Sequence, residues 1–298
     1  MSAAPPTRPV ARLSIALAVI LALAACSTAV APTPSGTPAP SASPPAGSAV
    51  VLLRVTSEGG FINPASTMAA LPTVVVYTDG RILMAGSPSA NNPNPLVVPV
   101  SVRTVGASGA AAILGVIHAA SLDASSSADP GVPGDSGVNV FEVVADSGTV
   151  TTRFAGNGPG GPGGPGAGGD IPERIAALDL LGKLLDPAET WGAASAPESV
   201  YQPLAYRVFV APGAPAGDGA ASQPPSVAWP LATALGDFGS PAVPNFGIAS
   251  LRTGVILGAD VATLAPILEA ASMSTAFTSG GQSYTLSVRA LLPDEVGA

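Results

Sequence analysis

Cysteine, histidine and lysine each occur once in the 298 residues, as Cys26, His118 and Lys183. One thiol excludes an intramolecular disulfide framework, so the folded part must be held by core burial alone. One histidine and one cysteine cannot build a zinc site. Asp123, Asp129 and Asp135 stand six residues apart, unlike the alternating ligands of a calcium loop, so neither a metal nor another cofactor is expected. Charge is also scarce, at 10% of residues with a net −8. An acidic surface repels nucleic-acid phosphates, which excludes nucleic acid as a natural partner. Aromatics make up only 4%. No apolar run reaches the roughly 20 residues that span a bilayer.

What the chain does have is apolar residues, 47% of the total, with 35 glycines and 33 prolines. The first 25 residues follow the order of an export signal. Arg8 and Arg12 give a positive start, Leu13 to Ala22 is uncharged and apolar, and Ala24 and Ala25 are small. "LAAC", Leu23 to Cys26, resembles the lipobox of bacterial lipoproteins. That resemblance implies cleavage before Cys26, a lipid on its sulfur, and attachment to the extracytoplasmic face of the cell membrane. Cleavage removes two arginines and no acid, taking the formal charge from −8 to −10. Residues 27–48, "STAVAPTPSGTPAPSASPPAGS", carry no charge and six prolines, as a linker does. At about 3.1 Å per residue in polyproline II, they reach roughly 60–70 Å from the anchor.

The folded part, residues 49–298, opens on "AVVLLRV", a buried strand by its continuous apolar run. Three hairpins are predicted: "TVVVYTDGRILMAG" around Asp79-Gly80, "FEVVADSGTVTTRF" around Ser147-Gly148 and "TAFTSGGQSYTLSV" around Gly280-Gly281. Three helices are predicted beside them. The first places Ala110, Ile113, Leu114, Ile117 and Ser121 at helical spacing. The second, "DIPERIAALDLLGKLLDP", is capped by Asp170, stopped by Pro187 and apolar along Ile175, Leu178, Leu181, Leu184 and Leu185. The third starts near Asp260 and must accommodate Pro266. The class is α+β: an antiparallel sheet of hairpins with about three helices packed on it. The turn-rich segment 195–246 marks a candidate boundary between subdomains.

"SEGGF" (Ser57 to Phe61), "YTDGRIL" (Tyr77 to Leu83) and "VRALLPDE" (Val288 to Glu295) resemble a group of uncharacterised exported and lipid-anchored actinobacterial proteins. The resemblance implies an extracytoplasmic home and transfers no activity.

Candidate chemistry is thin. "GDSG", Gly134 to Gly137, resembles the nucleophile motif of chymotrypsin-like proteases, but the fifth residue is Val138 where that family has glycine. The sole histidine, His118, lies 18 residues upstream on a predicted helix, whereas a catalytic serine needs a base brought to it from elsewhere in the fold. "DASSSADPGVPGDSG" is instead composed of turn residues. The glycine-rich Gly156 to Gly169 precedes a helix, but Asp170 and Glu173 put negative charge where a phosphate needs positive potential. No catalytic residue is assigned. Glu58, Asp79, Arg81, Arg289 and Asp294, with Glu295 beside them, are the polar residues of the three resembling motifs. They read as structural salt bridges at turns, or as a shared binding site.

The sequence thus reads as a lipid-anchored envelope protein whose domain binds a protein or small molecule or organises the envelope without catalysis. Its membrane contact is the anchor at Cys26. Two alternatives stand beside this reading: the solute-binding subunit of a transporter, and an envelope hydrolase using carboxylates such as Asp79 or Glu58. The residues leave enzyme and binding module both open.

Overall fold

A computed structural model describes residues 50–59, 67–124, 137–145, 148–155, 172–186, 188–191, 197–215, 225–243 and 247–296. All of them lie in the compact unit Ser41–Ala298. Cys26, the proline-rich linker, Asp129, Asp135, Ser136, the glycine-rich tract and Asp170 lie outside the described residues.

The class is α+β, and the strands divide between two sheets. The first runs from β1 (Val51–Glu58) through β2 (Val74–Tyr77), β3 (Arg81–Ala85), β4 (Val100–Thr104), β5 (Val138–Ala145) and β6 (Gly148–Ala155) to β7 (Ser199–Val200). Its spatial order is β6-β5-β1-β2-β3-β4-β7, antiparallel throughout. The second holds β8 (Ala205–Pro212), β9 (Ser226–Ala228), β10 (Ser240–Pro241), β11 (Arg252–Leu257), β12 (Ala276–Ser279) and β13 (Gln282–Ala290). Its order is β10-β11-β8-β13-β12-β9, with β9–β12 the parallel pair.

The continuous apolar runs follow from this layering. All four residues of β2 are buried. Val74 and Val76 pack toward α1 (Gly106–Ala119) and α2 (Pro172–Leu185), with Ile113, Ile117, Leu180 and Leu184. Val75 and Tyr77 pack toward the second sheet, with Val208, Phe277, Leu286 and Val288. A strand covered on both faces has no solvent side, so its sequence does not alternate. α3 (Ala259–Ala270) adds Leu264 and Leu268 to the core shared by the sheets and takes Pro266 inside its span.

The three hairpins are present as β2–β3, β5–β6 and β12–β13. The first turn is the most constrained. Gly80 has φ +84°, and a Cβ there would lie 2.2 Å from the carbonyl oxygen of Gly106. The Val105 N–H donates to the Gly80 carbonyl at 2.8 Å, so this turn seats the start of α1.

Two helix faces differ from the pattern. In α2 the buried residues are Arg174, Ala177, Leu180, Leu181 and Leu184, while Ile175 and Leu185 are exposed. The buried stripe is rotated by roughly one residue, because Ala177 and Arg174 occupy the face that leucine spacing gave to Ile175 and Leu178. Ser121 falls beyond α1, exposed, with φ +55°. The end of α2 is held by Arg103 of β4, whose buried guanidinium donates to the carbonyls of Leu184, at 2.7 Å, and Asp186. These are among the last carbonyls of a helix, which lack intrahelical donors.

Candidate functional site

Tyr77, the last residue of β2, is fully buried between the sheets. A buried phenol needs a partner, and its hydroxyl donates to Asp294 at 2.6 Å. Arg54 of β1 pairs with the same carboxylate and lies 3.8 Å from Glu295. Arg289 of β13 donates to both oxygens of Glu295, at 2.7 and 3.0 Å, and the Leu292 N–H donates to it at 2.9 Å. The tight turn after β13 thus returns two carboxylates to the strand that precedes it and across to the first sheet. On the other side of Tyr77, the Arg81 guanidinium lies 5.1 Å from its ring centroid and donates to Asp79 at 2.7 Å.

Burial, followed by the hydrogen bond to Asp294, pushes the Tyr77 phenol well above its ordinary range. Burial alone would raise Glu295, but the bonds from Arg289 and the Leu292 N–H and the charges of Arg289 and Arg54 hold it below the usual carboxylate value. Arg54 and Arg289 balance Asp294 and Glu295 one for one. A network with no residual charge locks the C-terminal turn and offers little to a ligand.

Of the sequence candidates, Arg81 and Asp294 therefore contact Tyr77, and Asp79 and Arg289 join the same network through Arg81 and Glu295. Glu58 does not join them. It ends β1, while Val51 at the other end pairs with Tyr77. Glu58 instead faces Arg153 at 3.5 Å, both half exposed, so Glu58 and Asp79 do not converge on one site. His118, in the last turn of α1, pairs through Nδ1 with Asp123 on the surface. Among the described residues no group of three or more His, Cys, Asp or Glu could hold a metal ion.

The network backs onto a cleft. Tyr201, just past β7, donates from its hydroxyl to the Leu291 carbonyl at 3.0 Å, and its ring lines a cavity of about 440 Å³. That size suits a small molecule. Val97 and Val100 give it apolar wall, while Ser89, Gln202 and Glu269 stand at polar positions around it. Tyr206 of β8 is the exceptional lining residue. It is 1% exposed, yet among the described residues its hydroxyl has no hydrogen-bond partner and is not sealed from solvent. Burial, then the charge of Glu269, pushes this phenol up to about 12, so at neutral pH it is a proton-bearing donor.

Sequence reasoning passed over Arg54, Tyr77, Tyr201 and Tyr206. Arg54 and Tyr77 meet Asp294 across 240 and 217 residues of chain, which no local pattern reveals. One signal was available: a tyrosine at an inward strand position requires a partner for its hydroxyl, and a chain with four tyrosines allows each to be asked.

Comparison with known proteins found no matching family model, no matching curated protein and no matching solved structure.

Proposed function

We propose that the chain is a lipid-anchored, extracytoplasmic binding domain whose ligand occupies the cleft over Tyr206. The observation that carries the ligand site is Tyr206: 1% exposed, in the wall of a cavity of about 440 Å³, and with no hydrogen bond from its hydroxyl among the described residues. On binding, this donor exchanges solvent for a ligand acceptor, a net gain of about 0.5–1.5 kcal/mol. Among the described residues no arginine or lysine lines this cleft, while Glu269 does. The favoured ligand is accordingly neutral or cationic, largely apolar and equipped with one acceptor. The anchor rests on the lipobox-like "LAAC" at Cys26 and on the uncharged, proline-rich linker after it. Among the described residues no helix is long and apolar enough to cross a membrane.

Two experiments test the two halves of this reading. Fragments of each charge class are titrated into the isotope-labelled chain, and amide shifts are followed. Neutral or cationic fragments should move Val97, Val100 and Tyr206 together, and Tyr206→Phe should abolish the response while remaining folded. Shifts unchanged in Tyr206→Phe, or confined to anionic fragments, overturn the ligand site. For the anchor, wild type should enter the detergent phase with an N-terminal mass of acylated Cys26, and Cys26→Ser should not. A water-soluble wild type with a free Cys26 thiol overturns the anchor.

A further inference from the structure

A second cavity lies at the opposite end of the β8–β13 ladder. Tyr206 and Ala290 pair at the end beside the first cleft; Pro212 and Tyr284 pair at the other. There a cavity of about 430 Å³ is lined by Val210, Leu235, Gly236, Arg252, Gln282 and Tyr284, among others. Among the described residues Arg252 is its only cationic lining residue.

Arg252 is held in an unusual way. Its Nε donates to the Phe238 carbonyl at 2.9 Å, and its Nη2 donates to the carbonyls of Gly239 and Asp237 at 2.8 and 3.4 Å. All three acceptors are main-chain oxygens at the end of the 3-10 turn Leu235–Asp237. They fix the guanidinium in place and leave its full charge uncompensated: among the described residues no carboxylate forms an ion pair with it, and neighbouring Asp237 contributes only its carbonyl. Arg54, Arg81 and Arg289 behave differently, since each has a carboxylate. Nη1 of Arg252 takes no part in the three bonds.

Beside it, the Tyr284 hydroxyl donates to Gln282 Oε1 at 3.1 Å. That bond occupies the oxygen end of the Gln282 amide and leaves its NH₂ end to donate. Gly236 keeps the space open, because a Cβ there would come within 2.9 Å of the Tyr284 hydroxyl oxygen. A preset cation, a free amide donor and walls of Val210, Leu235 and Leu251 meet in one cavity.

We infer that this cavity binds a small monocarboxylate with an apolar body, its carboxylate oxygens taken by Arg252 Nη1 and the Gln282 amide. A planar carboxylate matches an arginine fork and gains charge-assisted bonds. One guanidinium balances one negative charge. A phosphate dianion would leave excess negative charge beside a chain that is already acidic, so the carboxylate is preferred. The inference is independent of the cleft over Tyr206, which has the opposite charge preference.

The test is isothermal titration of the full chain in detergent, blanked against detergent alone, with benzoate and with benzamide, which has the same shape and no charge. Benzoate should bind at least tenfold tighter than benzamide. Gln282→Ala, at an exposed position where among the described residues the side chain's one hydrogen bond is that from Tyr284, should weaken benzoate severalfold and leave benzamide little changed. Arg252→Gln should erase the preference; since Arg252 also braces the turn at 237–239, Gln282→Ala decides the matter where Arg252→Gln fails to fold. Equal affinity for the two probes, or benzoate binding unaffected by Gln282→Ala, overturns the proposal.

Discussion

Tyr201 and Tyr206 differ in one respect that a substitution can read. Both are buried, and burial pushes both phenols up to about 12. Tyr201 spends its hydroxyl on the Leu291 carbonyl, whereas Tyr206 spends its own on nothing within the described protein. Tyr201→Phe orphans a buried acceptor and should cost about 1–3 kcal/mol. Tyr206→Phe removes an unpaired donor and should stay within about 0.5 kcal/mol of wild type. Urea denaturation of the two variants checks this, and equal losses would mean that Tyr206 has a structural partner. Glu295 supplies a second test at this scale. Its folded carboxyl is held below the ordinary value of 4.5 by Arg289, the Leu292 N–H and Arg54, against the opposing effect of burial. The unfolded chain therefore takes up that proton first as pH falls. The stabilisation is complete above about pH 4.5 and is lost as pH drops toward the folded value. Between pH 7 and pH 3.5, wild type should lose more stability than Glu295→Gln; parallel losses would remove Glu295 from the acid response.

At the scale of elements, the turn at Gly80 and the face of α2 show what local sequence carries. Asp-Gly between two apolar runs specified a hairpin, and the β2–β3 pair has it. The pattern did not indicate that the same glycine abuts Gly106, 26 residues on, closely enough that a Cβ would sit 2.2 Å from a carbonyl oxygen. Gly80→Ala should therefore cost well over the 1–2 kcal/mol of a left-handed residue alone. Gly281→Ala, with φ +75° and open space around it, should cost only that much. Similar losses at both positions would show that the α1 start yields to the turn. For α2, leucine spacing identified a helix but not its rotation, since a run with leucines at 178, 180, 181, 184 and 185 offers more than one apolar stripe. The sheet it covers makes the choice, through Ala177 and Leu181. Ile175→Ala should fall within about 0.5 kcal/mol of wild type, and Leu181→Ala should cost about 2–5 kcal/mol. The candidate site was less legible than the fold for the same reason. Asp79, Arg81, Arg289 and Asp294 were visible as turn residues, but their joining in one network with Tyr77 is set by register and layering.

For the whole molecule, the division of strands is contiguous in sequence: the first sheet is drawn from residues 51–200 and the second from 205–290. Such an arrangement invites the expectation of two independently melting halves. The core argues otherwise. Val75, Tyr77, Leu83 and Val100 of the first sheet are buried in one cluster with Val208, Phe277, Leu286 and Val288 of the second. Exposing the four from the first sheet alone would cost about 6–12 kcal/mol at 1.5–3 per side chain, as much as the whole stability of an ordinary domain. The ion pair of Arg54 with Asp294 would be cut as well. The two tryptophans make this measurable, because each reports one side of the division. Trp191 packs with the helix-covered core of the first sheet. Trp229 lies in the shared core, edge-on to Phe238 and Phe277 at 6.0 and 6.4 Å. Trp229→Phe leaves fluorescence from the first region, and Trp191→Phe leaves it from the second. Corrected for each substitution's effect on far-ultraviolet dichroism, both signals should follow a single denaturant transition with coincident midpoints, as two-state unfolding demands. If the Trp229 signal is lost at lower denaturant while Trp191 keeps its native emission, the first sheet and its helices stand alone, and the shared core contributes far less than its burial implies.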